Sequence, residues 1–198
     1  MARACGVSLD DDQLQQMLGF RDFLRSEGIA SGGIGPNEAD RLIDRHLGDS
    51  LAYLLGTNET LGQLLDVGSG VGLPGVPLAI ARPDASVVLL DRSQKRSDLV
   101  RRAVQMLGLR NVEVRNAQIA SIVERWDTVT FRASLPLLDA AQVAKRLLKR
   151  SGVAVFGLSR GPEIPEVPDP PNGVDFAVSS ELNGVLDSPF WLLRMTIT

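Results

Sequence analysis

Between Gln63 and Gly75 the chain reads Gln-Leu-Leu-Asp-Val-Gly-Ser-Gly-Val-Gly-Leu-Pro-Gly, and no other stretch limits the fold as much. A short apolar run meets a turn in which Gly68, Gly70, Gly72 and Gly75 crowd into eight residues, and the apolar segment Val76 to Ala81 follows. Glycine adopts backbone angles closed to other residues and lets the main chain pass close to a ligand. A strand, a glycine turn and a helix in this order form the corner at which α/β folds hold nucleotide-type ligands. An ordinary strand-turn-helix corner does not account for so many glycines.

Two ligand classes fit such a turn. Gly70-x-Gly72-x-x-Gly75 satisfies the dinucleotide fingerprint, with Asp91 about where a ribose-binding acid falls. The acidic-x-Gly-x-Gly-x-Gly loop of class I S-adenosylmethionine (SAM) methyltransferases also fits, and it starts one step earlier, at Asp66. The two ligands differ in charge: a dinucleotide presents a pyrophosphate, whereas SAM carries a sulfonium and an ammonium group. A carboxylate at the turn suits a cation and repels a pyrophosphate. Pro74 also removes an amide that a phosphate would use. The residues therefore favour SAM. Asp91, ending the second strand, is expected to accept both ribose hydroxyls; the plainer alternative is an aspartate that caps the next helix. Leu73 is expected to give a backbone amide and an apolar wall.

At 198 residues the chain has room for one sizeable core. A single cysteine, Cys5, excludes an internal disulfide framework, and one cysteine with one distant histidine leaves no set of zinc or iron–sulfur ligands. No run approaches membrane-spanning length. The opening residues lead into Asp10, Asp11 and Asp12 rather than an apolar export segment, so a soluble cytoplasmic protein is expected. The net charge of −3 exerts no global pull on nucleic acid. Two local groups are basic. Arg92, Lys95, Arg96, Arg101, Arg102 and Arg110 face only Asp98 as an acid, and Lys145, Arg146, Lys149 and Arg150 cluster further on. Either group suits a phosphate backbone, and either suits a solvated helix face.

Ser8-Leu9-Asp10-Asp11 predicts an N-cap with an acidic first turn. Leu14, Met17, Leu18 and Leu24, with Phe20 and Phe23, then mark an amphipathic helix that Gly28 should stop. Ser31 to Pro36 reads as a connector. A second helix carries Ile43, His46, Leu47, Ser50, Leu51, Leu54 and Leu55 on one stripe and closes at Gly56. A histidine on such a stripe is a core residue, and His46 is given no acid–base role. From residue 60 strands and helices alternate. Strands are expected at 63–67, 86–91, 111–115, 127–131, 152–158, 174–178 and 190–197. Helices are expected at 92–107, with Leu99, Ala103 and Met106 inward, and at 135–150. Gly161 to Gly173 carries five prolines and should be irregular. This alternation implies a largely parallel sheet covered on both faces, with the ligand beyond the carboxyl ends of the strands, where Asp66, Asp91 and Arg132 fall. Asn116 to Ala120 offers backbone groups to a base edge or is a plain loop. Arg132 suits a cofactor carboxylate and equally a surface charge. Residues 1–58 are expected to form a helical extension packed on a cofactor-binding domain, 59–198, the whole being one compact unit.

Absent motifs narrow the acceptor. Asp169-Pro170-Pro171-Asn172 has the look of the turn used to methylate amino groups of adenine or cytosine, but it follows strand five and lacks the aromatic. Methylation of cytosine C5 needs a nucleophilic cysteine, and Cys5 is at the wrong end of the chain. A nucleophile with a free lone pair and no proton to lose, such as guanine N7, needs neither device. It needs alignment and exclusion of water.

Arg45-His46-Leu47-Gly48-Asp49-Ser50, the loop from Leu65 to Ile80 with its Gly72-Leu73-Pro74-Gly75 ending, Arg82-Pro83, Leu89-Leu90-Asp91 with Lys95-Arg96, and Arg132-Ala133 occur in one order. Over roughly residues 8 to 160 they resemble the bacterial small-subunit (16S) ribosomal RNA guanine-N7 methyltransferases, the RsmG or GidB family. That resemblance implies a class I, Rossmann-like fold: a largely parallel seven-stranded sheet with an antiparallel C-terminal strand and helices on both faces. It implies SAM as cofactor, no metal, and ribosomal RNA or the small ribosomal subunit as partner; the oligomeric state stays open, with a monomer favoured. SAM contacts would come from Asp66, Gly68, Gly70, Gly72, Leu73, Asp91 and Arg132, and from the backbone of Ile119 and Ala120. No catalytic base is implied; Arg132 and Arg160 are the acceptor-side candidates. Three positions depart from the family pattern: Gly32 to Gly35 replaces an Asn-Leu-Thr segment, Gln118 an arginine, and Arg160 a lysine. All three are expected to face the RNA or the acceptor. A SAM-binding relative with another acceptor, or with none, is the alternative.

Overall fold

The computed structural model describes residues 1–180 and 185–198. Seven strands, β1 (Gln63–Val67), β2 (Ser86–Asp91), β3 (Val112–Asn116), β4 (Trp126–Arg132), β5 (Leu148–Arg160), β6 (Val174–Ser179) and β7 (Phe190–Ile197), form one sheet. Their order is β3-β2-β1-β4-β5-β7-β6. Pairs among the first five strands are parallel. β7 runs antiparallel to both neighbours, β5 and β6. Although β7 follows β6 in the chain, it lies inside the sheet and β6 lies at the edge. The strand order reverses at β1, so a crevice opens beyond the carboxyl ends of β1 and β4.

Successive strand residues point to opposite faces, and both faces are buried. Leu64, Val87 and Leu89 share one core with α3 (Gly75–Ala81) and α4 (Gln94–Met106), and Phe20, Leu24 and Tyr53 pack into that same core. Leu65, Val88 and Leu90 share the other with Ala140, Ala144 and Leu147 of α5 (Leu137–Leu147). The first 58 residues thus lie against one face only.

The two N-terminal helices depart most from sequence expectation. α1 (Asp11–Phe23) is capped by Asp10, not Ser8. Asp10 Oδ1 accepts the Gln13 amide at 2.8 Å and Gln13 Oε1 accepts the Asp10 amide at 2.9 Å, a reciprocal box. Gly28 does not stop the helix, which continues through a wider π turn at Leu24–Gly28. The second helix is a chain of short pieces: a 3-10 segment Pro36–Arg41, a π segment Leu42–Leu47, α2 (Gly48–Ala52) and a 3-10 turn Tyr53–Gly56. Each change of pitch rotates the side chains, so residues spaced for 3.6 per turn no longer share a face. Ile43 is 52% exposed as a result, while Asp49 is buried. Leu14 and Met106 also face outward. α5 ends at Leu147, three residues early, because Leu148 pairs with Trp126 and opens β5.

Candidate functional site

The glycine turn is stitched to β2 by the amides of Gly68 and Ser69, which both donate to the Leu90 carbonyl, at 2.8 and 3.0 Å. Gly68, Gly70 and Gly72 have φ of 70°, 59° and 99°, in the left-handed region that a side chain strains. Gly75 is fixed by space: a Cβ there would sit 2.2 Å from Leu89 Cδ2 and 2.7 Å from Asp66 Oδ2.

Asp66 lies beneath this turn, buried, with Oδ2 accepting the Gly75 amide and Oδ1 the Thr130 hydroxyl, both at 2.9 Å. Burial pushes its carboxyl up to about 7, against the pull of those two hydrogen bonds. Among the described residues it is not in the lining of either cavity considered below. The expectation that its charge meets a cationic ligand gives way to a strut that ties the turn to β4. The same contact occupies the first amide of α3, so that amide does not point at a ligand.

Beyond the strand ends lies a cavity of about 470 Å³. Of the residues singled out by sequence, Gly68, Gly70, Leu73, Asp91, Ile119 and Arg132 line it. Asp66, Gly72 and Ala120 do not. Gly72 instead makes room for packing, since a Cβ would sit 2.8 Å from both Val76 and Val100. Asp91 accepts the Gly70 amide on Oδ2 at 3.0 Å and the Ser93 amide on Oδ1 at 2.8 Å. Ser93, not Asp91, caps α4. Each Asp91 oxygen keeps a lone pair for a hydroxyl donor.

The opposite wall comes from the end of β4. Ala133 has φ 49°, in the left-handed region, which costs about 1–2 kcal/mol outside glycine. It separates Arg132 from Ser134, whose Cβ would lie 2.5 Å from a Cβ at Gly68. Arg132 Nη2 donates to His46 Nδ1 at 3.0 Å, and its Nη1 is buried without a partner among the described residues. Acceptance on Nδ1 fixes His46 as the neutral ring with its proton on Nε2. Burial, then the charge of Arg132, pushes its pKa down to about 4. His46 Nε2 lies 3.5 Å from Glu38 Oε2 and makes no hydrogen bond among the described residues. Sequence reasoning set His46 aside as core. The available signal was His46 and Asp49, two polar residues three apart within an apolar stripe.

A second cavity, of about 310 Å³, shares His46, Arg132 and Ala133 with the first. Its floor is an ion pair: Arg160 Nε and Nη2 reach Asp49 Oδ1 at 3.0 and 2.5 Å. Arg160 also donates to the Asp44 carbonyl at 2.7 Å and pairs with Asp187. Burial pushes the Asp49 carboxyl up, opposed by Arg160. Arg160, an acceptor-side candidate from sequence, therefore has partners on all three nitrogens and serves as a clamp. The other two departures from the family pattern, Gly33 and Gln118, line the first cavity rather than the second. A Cβ at Gly33 would sit 2.2 Å from Val71 Cγ1.

The basic groups separate too. Lys145 bonds the Asn172 carbonyl, Arg146 the Ile119 and Ile122 carbonyls, and Lys149 the Asp127 carboxylate. In the earlier group Arg101 pairs with Asp98 and Arg102 with Glu27, while Arg92 and Arg96 line the first cavity. Among the described residues no helix is long and apolar enough to cross a membrane, and no cluster of acids, histidines or cysteines is arranged for a metal ion.

A seven-stranded sheet with β7 reversed and a glycine turn after β1 defines the fold of class I methyltransferases. Among solved structures the chain is similar to a glycopeptide N-methyltransferase complexed with (S)-adenosyl-L-methionine, with a TM-score of 0.60 at 13% identity, over 77% of this chain and 94% of that one. Residues 13–162 match the family described as rRNA small subunit methyltransferase G, GidB, and the chain belongs to that family. Relatives named ribosomal RNA small subunit methyltransferase G include one from Acidothermus cellulolyticus, 35% identical over 158 residues, 75% of this chain and 70% of the relative. Another, from Mycobacterium sp. strain KMS, is 37% identical over 162 residues, 78% of this chain and 71% of the relative.

Proposed function

We propose that the chain transfers the methyl group of SAM to guanine N7 in small-subunit ribosomal RNA. Membership of the family supports this reading. The observation that carries it is the charge layout of the first cavity, with the Asp91 carboxylate on one wall and the unpartnered Arg132 Nη1 on the other. SAM has hydroxyls at its ribose and a carboxylate at its amino-acid end, so the two walls fit its two ends. Asp91 accepts from the ribose hydroxyls and Arg132 pairs with the carboxylate. Gly68, Gly70 and Leu73 let the backbone approach, and Ile119 flanks the base. Asp66 and Gly72 hold the turn from behind, and Ala120 continues the short turn that carries Ile119.

When bound, SAM supplies an electrophilic methyl that the N7 lone pair takes in line, the C–S electron pair staying on sulfur and the positive charge passing to the purine. No proton leaves in that step, so no residue need act as a base. His46, neutral at physiological pH, adds no second cation beside the sulfonium. The chain's contribution is alignment and exclusion of water. In this reading residues 1–58 are an extension that packs on a catalytic domain, 59–198, and shapes the acceptor side. The protein acts as a monomer in the cytoplasm, where ribosomal subunits are.

The test is transfer of labelled methyl from SAM to small ribosomal subunits or extracted rRNA, with the product nucleoside identified by mass spectrometry. A single labelled 7-methylguanosine is expected. No transfer, from protein that calorimetry shows to bind SAM, overturns the reading in favour of a relative with another acceptor or none.

A further inference from the structure

Four buried polar atoms in the lining of the two cavities have no partner among the described residues: Arg45 Nε, His46 Nε2, Arg132 Nη1 and Ser134 Oγ. Arg132 and His46 line both cavities, Arg45 only the second and Ser134 only the first. A buried donor without a partner is destabilising, and a concentration of them marks where a ligand's acceptors belong. Beside them, on the second cavity alone, stands a carboxylate. Glu38 is about 30% exposed and lies 3.5 Å from His46 and 3.8 Å from Arg41, and its side chain makes no hydrogen bond among the described residues.

We infer that the second cavity holds the acceptor base, and that Glu38 selects guanine by accepting hydrogen bonds from its N1–H and N2–H groups. The inference rests on the methyl-transfer reading above. Around guanine the groups run N7, O6, N1–H and N2–H, two acceptors followed by two donors. The protein's groups run in the complementary order. His46 Nε2–H, at the border of the two cavities beside the Arg132 guanidinium, faces O6, and Glu38, beyond it, offers two oxygens to the donors. N7 is then the atom turned toward the first cavity. Adenine reverses both matches, with an amine against the donors and a bare ring nitrogen against the carboxylate, leaving polar groups on both sides unpaired.

The surroundings suit a base taken out of its stack. Phe190 gives the cavity an apolar ring, and Gly157 in its lining makes room for Tyr53 behind it, since a Cβ there would sit 2.3 Å from the Tyr53 hydroxyl oxygen. Tyr53 is itself held by a 2.8 Å bond to the Phe131 carbonyl. The Arg160–Asp49 pair, each side chain 8% exposed, stiffens the floor.

Glu38→Gln replaces one acceptor oxygen by a donor that opposes the guanine donors. Steady-state methyl transfer to small ribosomal subunits lacking the modification should show kcat/KM down between about 10- and 100-fold. SAM affinity by calorimetry and the melting temperature should be unchanged. Glu38→Asp, which keeps the charge but withdraws it, should recover part of the rate. Competition by mononucleotides at saturating SAM gives a readout that a structural role would not move. In the wild type, guanosine monophosphate should inhibit best, inosine monophosphate (without the N2 amine) less, and adenosine monophosphate least. In Glu38→Gln the first two should become equal. Wild-type kcat/KM in the variant overturns the assignment, as does a wild-type enzyme that the three nucleotides inhibit equally or not at all. A wild-type enzyme that binds SAM and methylates no guanine defeats the earlier reading instead, and that is seen before any variant is made.

Discussion

On the glycine-turn side of the first cavity, the amides of Gly68, Ser69, Gly70 and Gly75 each reach an acceptor of the protein. On the β4 side, Arg132 Nη1, His46 Nε2 and Ser134 Oγ reach no partner among the described residues. The turn wall thus ties these four amides within the chain. The facing wall keeps its polar groups in reserve, at a cost of about 1–3 kcal/mol for each buried unpaired group. Substitutions of the turn glycines should therefore register as stability, and those in the second wall as affinity for a ligand.

The sharpest break of this contrast is Gly75→Ala. A methyl group there meets Leu89 and the Asp66 carboxylate well inside contact distance, so stability should fall by about 3 kcal/mol, read by denaturant unfolding. A wild-type midpoint would mean the turn is loose. Arg132→Met should do the reverse, weakening SAM binding about 10- to 100-fold by calorimetry, the scale of one charged hydrogen bond, with the melting temperature unchanged or raised. A lower melting temperature with intact affinity would make Arg132 a structural residue.

Asp66→Asn sharpens the comparison through pH. The folded carboxyl titrates at about 7 and the unfolded one near 3.8. Between those values the folded chain holds a proton that the unfolded chain has released, so Asp66 makes stability fall as pH rises from about 4 to about 7 and level off above. Each unit of the shift is worth about 1.4 kcal/mol. His46 works the other way, because a folded pKa of about 4 against 6.5 costs stability as pH falls below 6.5. The readout is thus the difference between wild type and Asp66→Asn in melts from pH 5 to 8. The variant should gain relative to the wild type as pH rises, and parallel curves would refute the strut. The smallest effect expected is Ala133→Gly, which relieves a left-handed alanine and should add at most about 1 kcal/mol of stability by thermal melting.

Legibility in the sequence followed the range of the interactions. β1, β2 and β7 run where alternation and turn residues place them, because those signals are local. The α5–β5 boundary departs from the local pattern because Leu148 is recruited by Trp126, more than twenty residues away, against a helix-forming context. Residues at strand ends, such as Asp91 and Arg132, could be referred to the crevice from topology alone. Whether a carboxylate stands beside the ligand or under the turn could not: Asp66 differs from Asp91 only in what lies above it. The contacts of Arg160 with Asp49, 111 positions apart, and of Arg132 with His46, 86 apart, leave no trace in either local pattern. They also depend on the irregular pitch of residues 36–56, which no simple period encodes.

The place of β7 between β5 and β6 has a consequence for birth order. A chain emerging from its N-terminus completes β1 to β5, and with them the turn, Asp91 and Arg132, before β7 exists. β6 must then wait, since it joins the sheet only through β7. Asp187, which completes the hold on Arg160, and Phe190, which lines the second cavity, also arrive in that last stretch. Every residue that lines the first cavity is thus made before Phe190 of the second, so the order of synthesis runs from the one cavity to the other.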